Sequence, residues 1–310
     1  MPETAAPATP AAATPGATRD GAIAAALDML DSGRFKADLA RRVAMPTVSR
    51  EEEHWPELDR YLREEMVPLY ERLGFTCEIL RHDPAPGPFL LAERIEDPAR
   101  PTVLMYGHGD VVTGIPEQWA AGLAPFEMTE RDGRWYGRGT ADNKGQHSVN
   151  LAAIEAVLAR RGKLGFNLKY LVEMGEEYGS PALEDLCRSH RDRLRADLLI
   201  ASDGPRMSLD EPTIFLGSRG GVNIHLEVVA REGYHHSGNW GGLLANPGVE
   251  LSHAIAALIG PTGECLVPEL TPGTIPDNVR AALKDCRITT AEGDPDLDAW
   301  WGAPGLTQAE

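Results

Sequence analysis

Cysteine is scarce: the 310 residues contain four, Cys77, Cys187, Cys265 and Cys286, and no two of them form a CxxC pair. That spacing excludes a zinc ribbon and a disulfide framework, so reduced thiols are expected. Basic side chains are also in deficit. Thirty Lys and Arg stand against 47 Asp and Glu, a formal net charge of -17, which argues against nucleic acid or an anionic membrane as partner. A solvated acidic surface accounts for the excess. No run is long and apolar enough to span a bilayer. The first 18 residues, MPETAAPATPAAATPGAT, lack the basic start and Leu-rich core of a signal peptide and predict a disordered tail. The expectation is a soluble cytoplasmic protein.

What is present is an ordinary apolar content, 42%, sufficient for a large core. Helical spacing runs from Asp20 to Arg42, divided at Gly33, and again from Trp55 to Leu73, where Pro68 should kink or end the helix. Strands are predicted at Phe75–Leu80 and Phe89–Ile95, separated by the DPAPGP loop, and a third begins at Val103. A helix over Gly145–Arg161 should turn Val149, Ala153, Ala156 and Val157 inward. A strand at Phe166–Glu173, a helix at Ala182–Arg191 and a strand at Ala196–Ala201 follow. This alternation predicts an α/β domain, a mainly parallel sheet flanked by helices, over residues 19–217. A smaller α+β domain over 218–310 should open with a strand at Gly221–Val229 and contain a helix at Pro247–Ile259.

Four acidic clusters fall at the carboxyl ends of predicted strands, where open α/β sheets bind ligands. They are His108 with Asp110 in GHGDVV, Asp142 in GRGTADNKG, Glu176 with Glu177 in GEEYGS, and Asp203 in SDG. Taken singly, each has an ordinary reading: a loop histidine, a helix N-cap, a solvated strand end, a turn. Gathered on one edge without a cation, these carboxylates would cost several kcal/mol. A divalent metal removes that cost, and one imidazole among carboxylates suits zinc, with cobalt or manganese as competitors. A phosphate loop fails, because Asn143 rather than Gly precedes Lys144 and Gly145 follows it. A dinucleotide fingerprint fails for want of a third glycine.

In this order and spacing, GHGDVV, GRGTADNKG, GEEYGS, SDG and HHSGNWGG resemble the dinuclear zinc exopeptidases and amidohydrolases. That family includes aminoacylase, carnosinase-type dipeptidases, succinyl-diaminopimelate desuccinylase and glutamate carboxypeptidase. The IPDNV and WGAPGLT segments lean towards its dipeptidase branch. The resemblance implies that His108 and Asp203 bind one zinc, that Glu177 binds the other and that Asp142 bridges them. It further implies that Asp110 orients His108, that Glu176 is the general base, and that His236, beside His235, donates to the oxyanion, often across a homodimer interface. A cis peptide at Asp142-Asn143 is implied as well. The substrate would be a dipeptide or an N-acyl amino acid. The family also uses a further His and a returning chain that completes the catalytic sheet, whereas no His follows His253 here. The expectation is therefore a piece of a longer protein with an incomplete site. The alternative is a non-catalytic metal-binding or dimerisation fragment of such an enzyme.

Overall fold

A computed structural model describes residues 17–204, 221, 223–270 and 274–285. The disordered tail expected over 1–18 lies almost wholly outside the described residues, as does Cys286. The chain divides into two units, Met1–Gly204 and Pro205–Glu310.

The first unit opens with α1 (Arg19–Asp31), capped by the Thr18 hydroxyl, and α2 (Arg34–Val43). Gly33 between them has φ +76°, the left-handed region that favours glycine. Helix α3 (Trp55–Arg60) runs through a π-helical stretch, Tyr61–Met66, into α4 (Val67–Arg72). This is the disturbance expected from Pro68: proline supplies no N–H to the helical ladder, and the preceding turn widens instead of breaking.

A five-stranded sheet follows, built from β1 (Thr76–Leu80), β2 (Phe89–Arg94), β3 (Thr102–His108), β6 (Asn167–Glu173) and β7 (Leu198–Ala201) in the order β1-β2-β6-β3-β7. Between β3 and β6 lie a hairpin absent from the sequence reading, β4 (Thr129–Arg131) with β5 (Arg134–Tyr136), and helix α5 (Lys144–Arg161). Helices α6 (Leu183–Ser189) and α7 (Arg191–Leu194) precede β7. The sheet is mixed. Strand β2 is antiparallel to β1 and β6, whereas β3 is parallel to both β6 and β7. The parallel half is the half that delivers the acidic clusters.

Strands β2 and β6 are buried on both faces, and alternate residues serve different cores. Leu90, Ala92, Leu168, Tyr170 and Val172 join a large cluster with Tyr61, Leu62, Tyr70 and Leu151, while Phe89, Leu91 and Leu171 meet Leu186 on the other side. Each large apolar side chain among them contributes roughly 1.5–3 kcal/mol relative to exposure, which pins the β2–β6 register, and β3 pairs along β6. Strand β7 differs: Leu198 and Leu199 are 54% and 61% exposed.

In α5 the buried residues include Lys144, His147, Ser148, Leu151, Ile154 and Ala156, while Val149 is 57% exposed. The predicted inward stripe thus holds at Ala156 and at Val157, which packs against the core, but not at Val149 or Ala153. Polar side chains with long-range partners occupy the inward face of the first turns, and hydrophobic periodicity does not register them.

Of the strand expected at Gly221–Val229 in the second unit, residues 223–229 are not in a strand, and no ladder partner for them lies among the described residues. Helix α8 (Ser237–Trp240) follows, then α9 (Pro247–Leu258), capped by Asn246, whose Oδ1 accepts from Gly248 N at 2.9 Å, and α10 (Asp277–Leu283). Among the described residues no helix is long and apolar enough to cross a membrane.

Candidate metal centre

Strand β3 ends at His108, whose register partner on β6 is Glu173. The glycines on either side are demanded by packing. A Cβ at Gly107 would lie 3.0 Å from Asn143 Oδ1, and one at Gly109 would lie 2.5 Å from the Tyr61 ring.

His108 is fully buried. Its Nδ1 faces two oxygens of Asp110, the carbonyl at 3.1 Å and Oδ1 at 3.4 Å. Both are acceptors, so Nδ1 carries the proton and Nε2 presents a lone pair. That lone pair faces carboxylates: Asp142 Oδ1 at 3.0 Å, Asp203 Oδ2 at 3.7 Å and Glu176 Oε2 at 3.8 Å. None meets hydrogen-bond geometry, and Nε2 is a buried nitrogen without a hydrogen-bond partner among the described residues.

The electrostatics record the same conflict. Burial alone would lower the His108 pKa, yet the carboxylates of Asp110 and Asp142 push it up to about 11. Glu177 is pushed up to about 6, first by burial and then by Asp142. Burial also raises Glu176 and Asp203, with the neighbouring acids adding to it and His108 opposing it. Asp142 is held below the usual carboxylate range by its contact with His108. Without a cation the carboxylates would force a second proton onto the imidazole, whereas a bound cation would take the Nε2 lone pair and neutralise the acids in its place. One ligand atom each from His108, Asp142 and Asp203 lies within 4.8 Å of the others, a span suited to one ion, and the nitrogen-and-carboxylate donor set fits zinc, cobalt or manganese.

Asp110 does more than orient His108. Its Oδ1 and Oδ2 accept the backbone N–H groups of Glu176 and Glu177 at 3.2 and 3.0 Å. The Arg50 Nε donates to the Glu177 carbonyl at 2.6 Å, so the Glu176–Glu177 turn is held from both sides. The peptide Asp142-Asn143 is cis, as the resemblance implied.

Several residues that sequence reasoning missed support this centre. Tyr61 OH lies 2.7 Å from His147 Nε2, and His147 Nδ1 lies 3.1 Å from the His108 carbonyl. Lys144, tested above only as a phosphate-loop lysine, is buried, with Nζ donating to the carbonyls of Arg42 and Met45 at 2.9 and 2.7 Å. Burial pushes its pKa down to about 7. The only sequence signal for these residues was polarity at inward helical positions. In the second unit His236 Nδ1 accepts from Gly238 N at 3.1 Å, which leaves the ring proton of the neutral form on Nε2. The neighbouring His235 ring lies 6.0 Å from that of Trp240.

The sequence pattern described as peptidase family M20/M25/M40 matches residues 104–298, a span that contains every position above from His108 to His236. Human Beta-Ala-His dipeptidase is 37% identical over 192 residues, 61% of this chain and 38% of that protein. Cys-Gly metallodipeptidase dug1 of Schizosaccharomyces pombe is 31% identical over 275 residues, 82% of this chain and 57% of that protein. The chain therefore spans between about two fifths and three fifths of these relatives. The solved structure of human carnosine dipeptidase 1 has a TM-score of 0.63 at 26% identity, covering 85% of this chain and 58% of its own. That of the M20 family metallo-carboxypeptidase Sso-CP2 from Sulfolobus solfataricus has a TM-score of 0.68 at 26% identity, covering 85% and 60%.

Proposed function

Because the chain belongs to peptidase family M20/M25/M40, a family of metallohydrolases, we propose that the protein cleaves the peptide bond of a dipeptide at the His108 centre. One observation carries this reading: the buried His108 Nε2 faces three carboxylates at 3.0–3.8 Å without a hydrogen-bond partner among the described residues. His108 and Asp203 would hold one divalent ion and Glu177 a second, with Asp142 shared between them. When bound, such ions, zinc by the donor set with cobalt or manganese as competitors, polarise a carbonyl and lower the pKa of water.

The chain's own groups supply the rest. Glu176, partly exposed and 3.8 Å from His108, takes the proton of the attacking water on its carboxylate and returns it to the leaving amine. Asp110 keeps the His108 proton on Nδ1 and holds the Glu176 N–H, so the base and the ligand share one anchor. The resemblance gives His236 the role of donating to the carbonyl oxygen as negative charge develops there, often across a homodimer interface. A homodimer formed through the second unit and a cytoplasmic location belong to the same reading.

The relatives named for β-alanyl-histidine and cysteinylglycine point to small dipeptides as substrates. A second reading, removal of an acyl group from an amino acid, is favoured by a match to succinyl-diaminopimelate desuccinylase of Delftia acidovorans, 32% identical over 202 residues. Both are tested on the full-length protein by chelation, then add-back of zinc, cobalt or manganese, against β-alanyl-histidine, cysteinylglycine and N-succinyl amino acids. Turnover should vanish and return with metal, and the preferred substrate decides between the readings. Hydrolysis indifferent to chelation would sink both.

A further inference from the structure

We propose that three carboxamides at the start and along one face of α5, those of the N-cap residue Asn143 and of Gln146 and Asn150, are positioning residues that set Asp203 opposite His108. They recur at steps of three and four residues, the spacing that aligns side chains on a helix face. Asn143 Nδ2 donates to the Ser202 carbonyl at 2.7 Å, and Gln146 Nε2 donates to the Gly204 carbonyl at 2.9 Å. Both carbonyls flanking Asp203 are thereby gripped. Asn150 Nδ2 adds a bond to Ser202 Oγ at 2.9 Å. Gln146 Oε1 accepts from Asn143 Nδ2 at 2.6 Å, which turns the Gln146 amide so that its N–H groups face Gly204. Asn143 Oδ1 accepts the His108 N–H at 3.2 Å, so a single side chain touches the strand end bearing His108 and the one bearing Asp203.

The need for such a device follows from β7. Its pairing with β3 stops at Tyr106↔Ala201, and among the described residues no ladder bond reaches Ser202, Asp203 or Gly204. Its apolar side chains, Leu198 and Leu199, are largely exposed, so packing does not fix the strand end either. The carboxamides do what neither the ladder nor the core does there. A ligand oxygen must be held to within about 0.5 Å for a defined coordination geometry, and neutral amides achieve this without adding charge beside the carboxylates.

This inference rests on the reading of Asp203 as a metal ligand, and the test separates the two. Cobalt(II) serves as the probe on the full-length protein. Its affinity is measured by competition with a chromophoric chelator, and its visible absorption band reports coordination geometry. The proteins compared are the parent, Gln146→Met, Asn150→Leu and Asp203→Ala. Both amide positions are half-buried and each replacement keeps much of the volume, so the melting midpoint of the metal-free protein should stay near that of the parent. Gln146→Met and Asn150→Leu should each weaken cobalt binding roughly 10- to 100-fold and shift the band. Parent-like affinity and band in both, with cobalt lost from Asp203→Ala, would overturn the positioning role while the metal reading stands. Parent-like affinity in Asp203→Ala would overturn both. Should one amide variant melt early, the band of the other decides, because unfolding removes cobalt whereas a displaced ligand changes its spectrum.

Discussion

Glu176 and Glu173 lie three residues apart and are held in opposite ways. Glu176 stands at the rim of the centre, and Glu176→Gln keeps its size while removing the proton acceptor. Turnover should fall by about 10²–10⁴ with metal content unchanged, measured as kcat on the preferred dipeptide beside elemental analysis; undiminished turnover would remove Glu176 from the mechanism. Glu173 is buried, with Oε1 accepting from Tyr106 and Ser180 and Oε2 unpartnered among the described residues. Burial raises its pKa from 4.5 to about 6. A carboxyl raised on folding gives stability that is fully present below pH ~4.5 and is lost as pH rises through 6, in all ~2 kcal/mol. Glu173→Gln should therefore flatten this dependence and leave the metal-free protein at least as stable as the parent at pH 8, read from urea unfolding at pH 5 and 8. A variant clearly less stable than the parent at pH 8 would refute the argument. At this scale the sequence exposed the charged members well, because GHGDVV and GEEYGS place them beside glycines at strand ends. It did not expose Arg50, Tyr61 or Gln146, whose partners lie 127, 86 and 58 positions away.

Helix α5 shows how an element can be placed well by its pattern and still be misread on part of its inward face. Its expected span, Gly145–Arg161, differs from the observed one by one residue. Its inward face was read correctly at Ala156 and Val157 but not at its first turns, because Lys144, His147 and Ser148 satisfy their polar atoms inside the protein and need no water. The helix start is also sterically committed: a Cβ on Gly145 would lie 1.9 Å from the Thr140 carbonyl oxygen. Gly145→Ala should cost about 1–3 kcal/mol through forced backbone displacement, and urea unfolding of the metal-free variant would show it; an unchanged midpoint would mean that the turn before α5 yields freely. In α4 the Tyr70 hydroxyl is buried without a hydrogen-bond partner among the described residues, while its ring packs 5.3 Å from Phe75 and 5.4 Å from Tyr170. Tyr70→Phe keeps those contacts and removes the unsatisfied group, so it should stabilise the protein by about 1 kcal/mol. Thermal unfolding that moves downward would point to an unrecognised partner.

For the whole molecule, the carboxylates converging on His108 predict that folded stability depends on metal. A cation that binds the folded state alone stabilises it by mass action, by about 2.7 kcal/mol at a hundred times its dissociation constant. For a domain of this size that is a rise in Tm of roughly 5–10 °C. Calorimetry with zinc and with excess chelator should show the difference, and coincident transitions would argue that the centre does not bind metal in the folded state. Affinity should also fall as pH drops through 6, because protons compete for the acids that the ions require.

Strand-end acids, glycine spacing and a helix–strand alternation are local properties, and from them the chain alone predicted the α/β class and an acidic centre suited to a cation, while the ordered motifs carried the family resemblance. Only the folded chain decided which side chains bring those residues together. Register across β2 and β6 comes from burial on two faces, the second role of Asp110 comes from a turn 66 positions later, and the grip on Asp203 comes from amides on α5. Hydrogen bonds between residues distant along the chain leave no period in a sequence, and these contacts set the distances at which a metal centre can work.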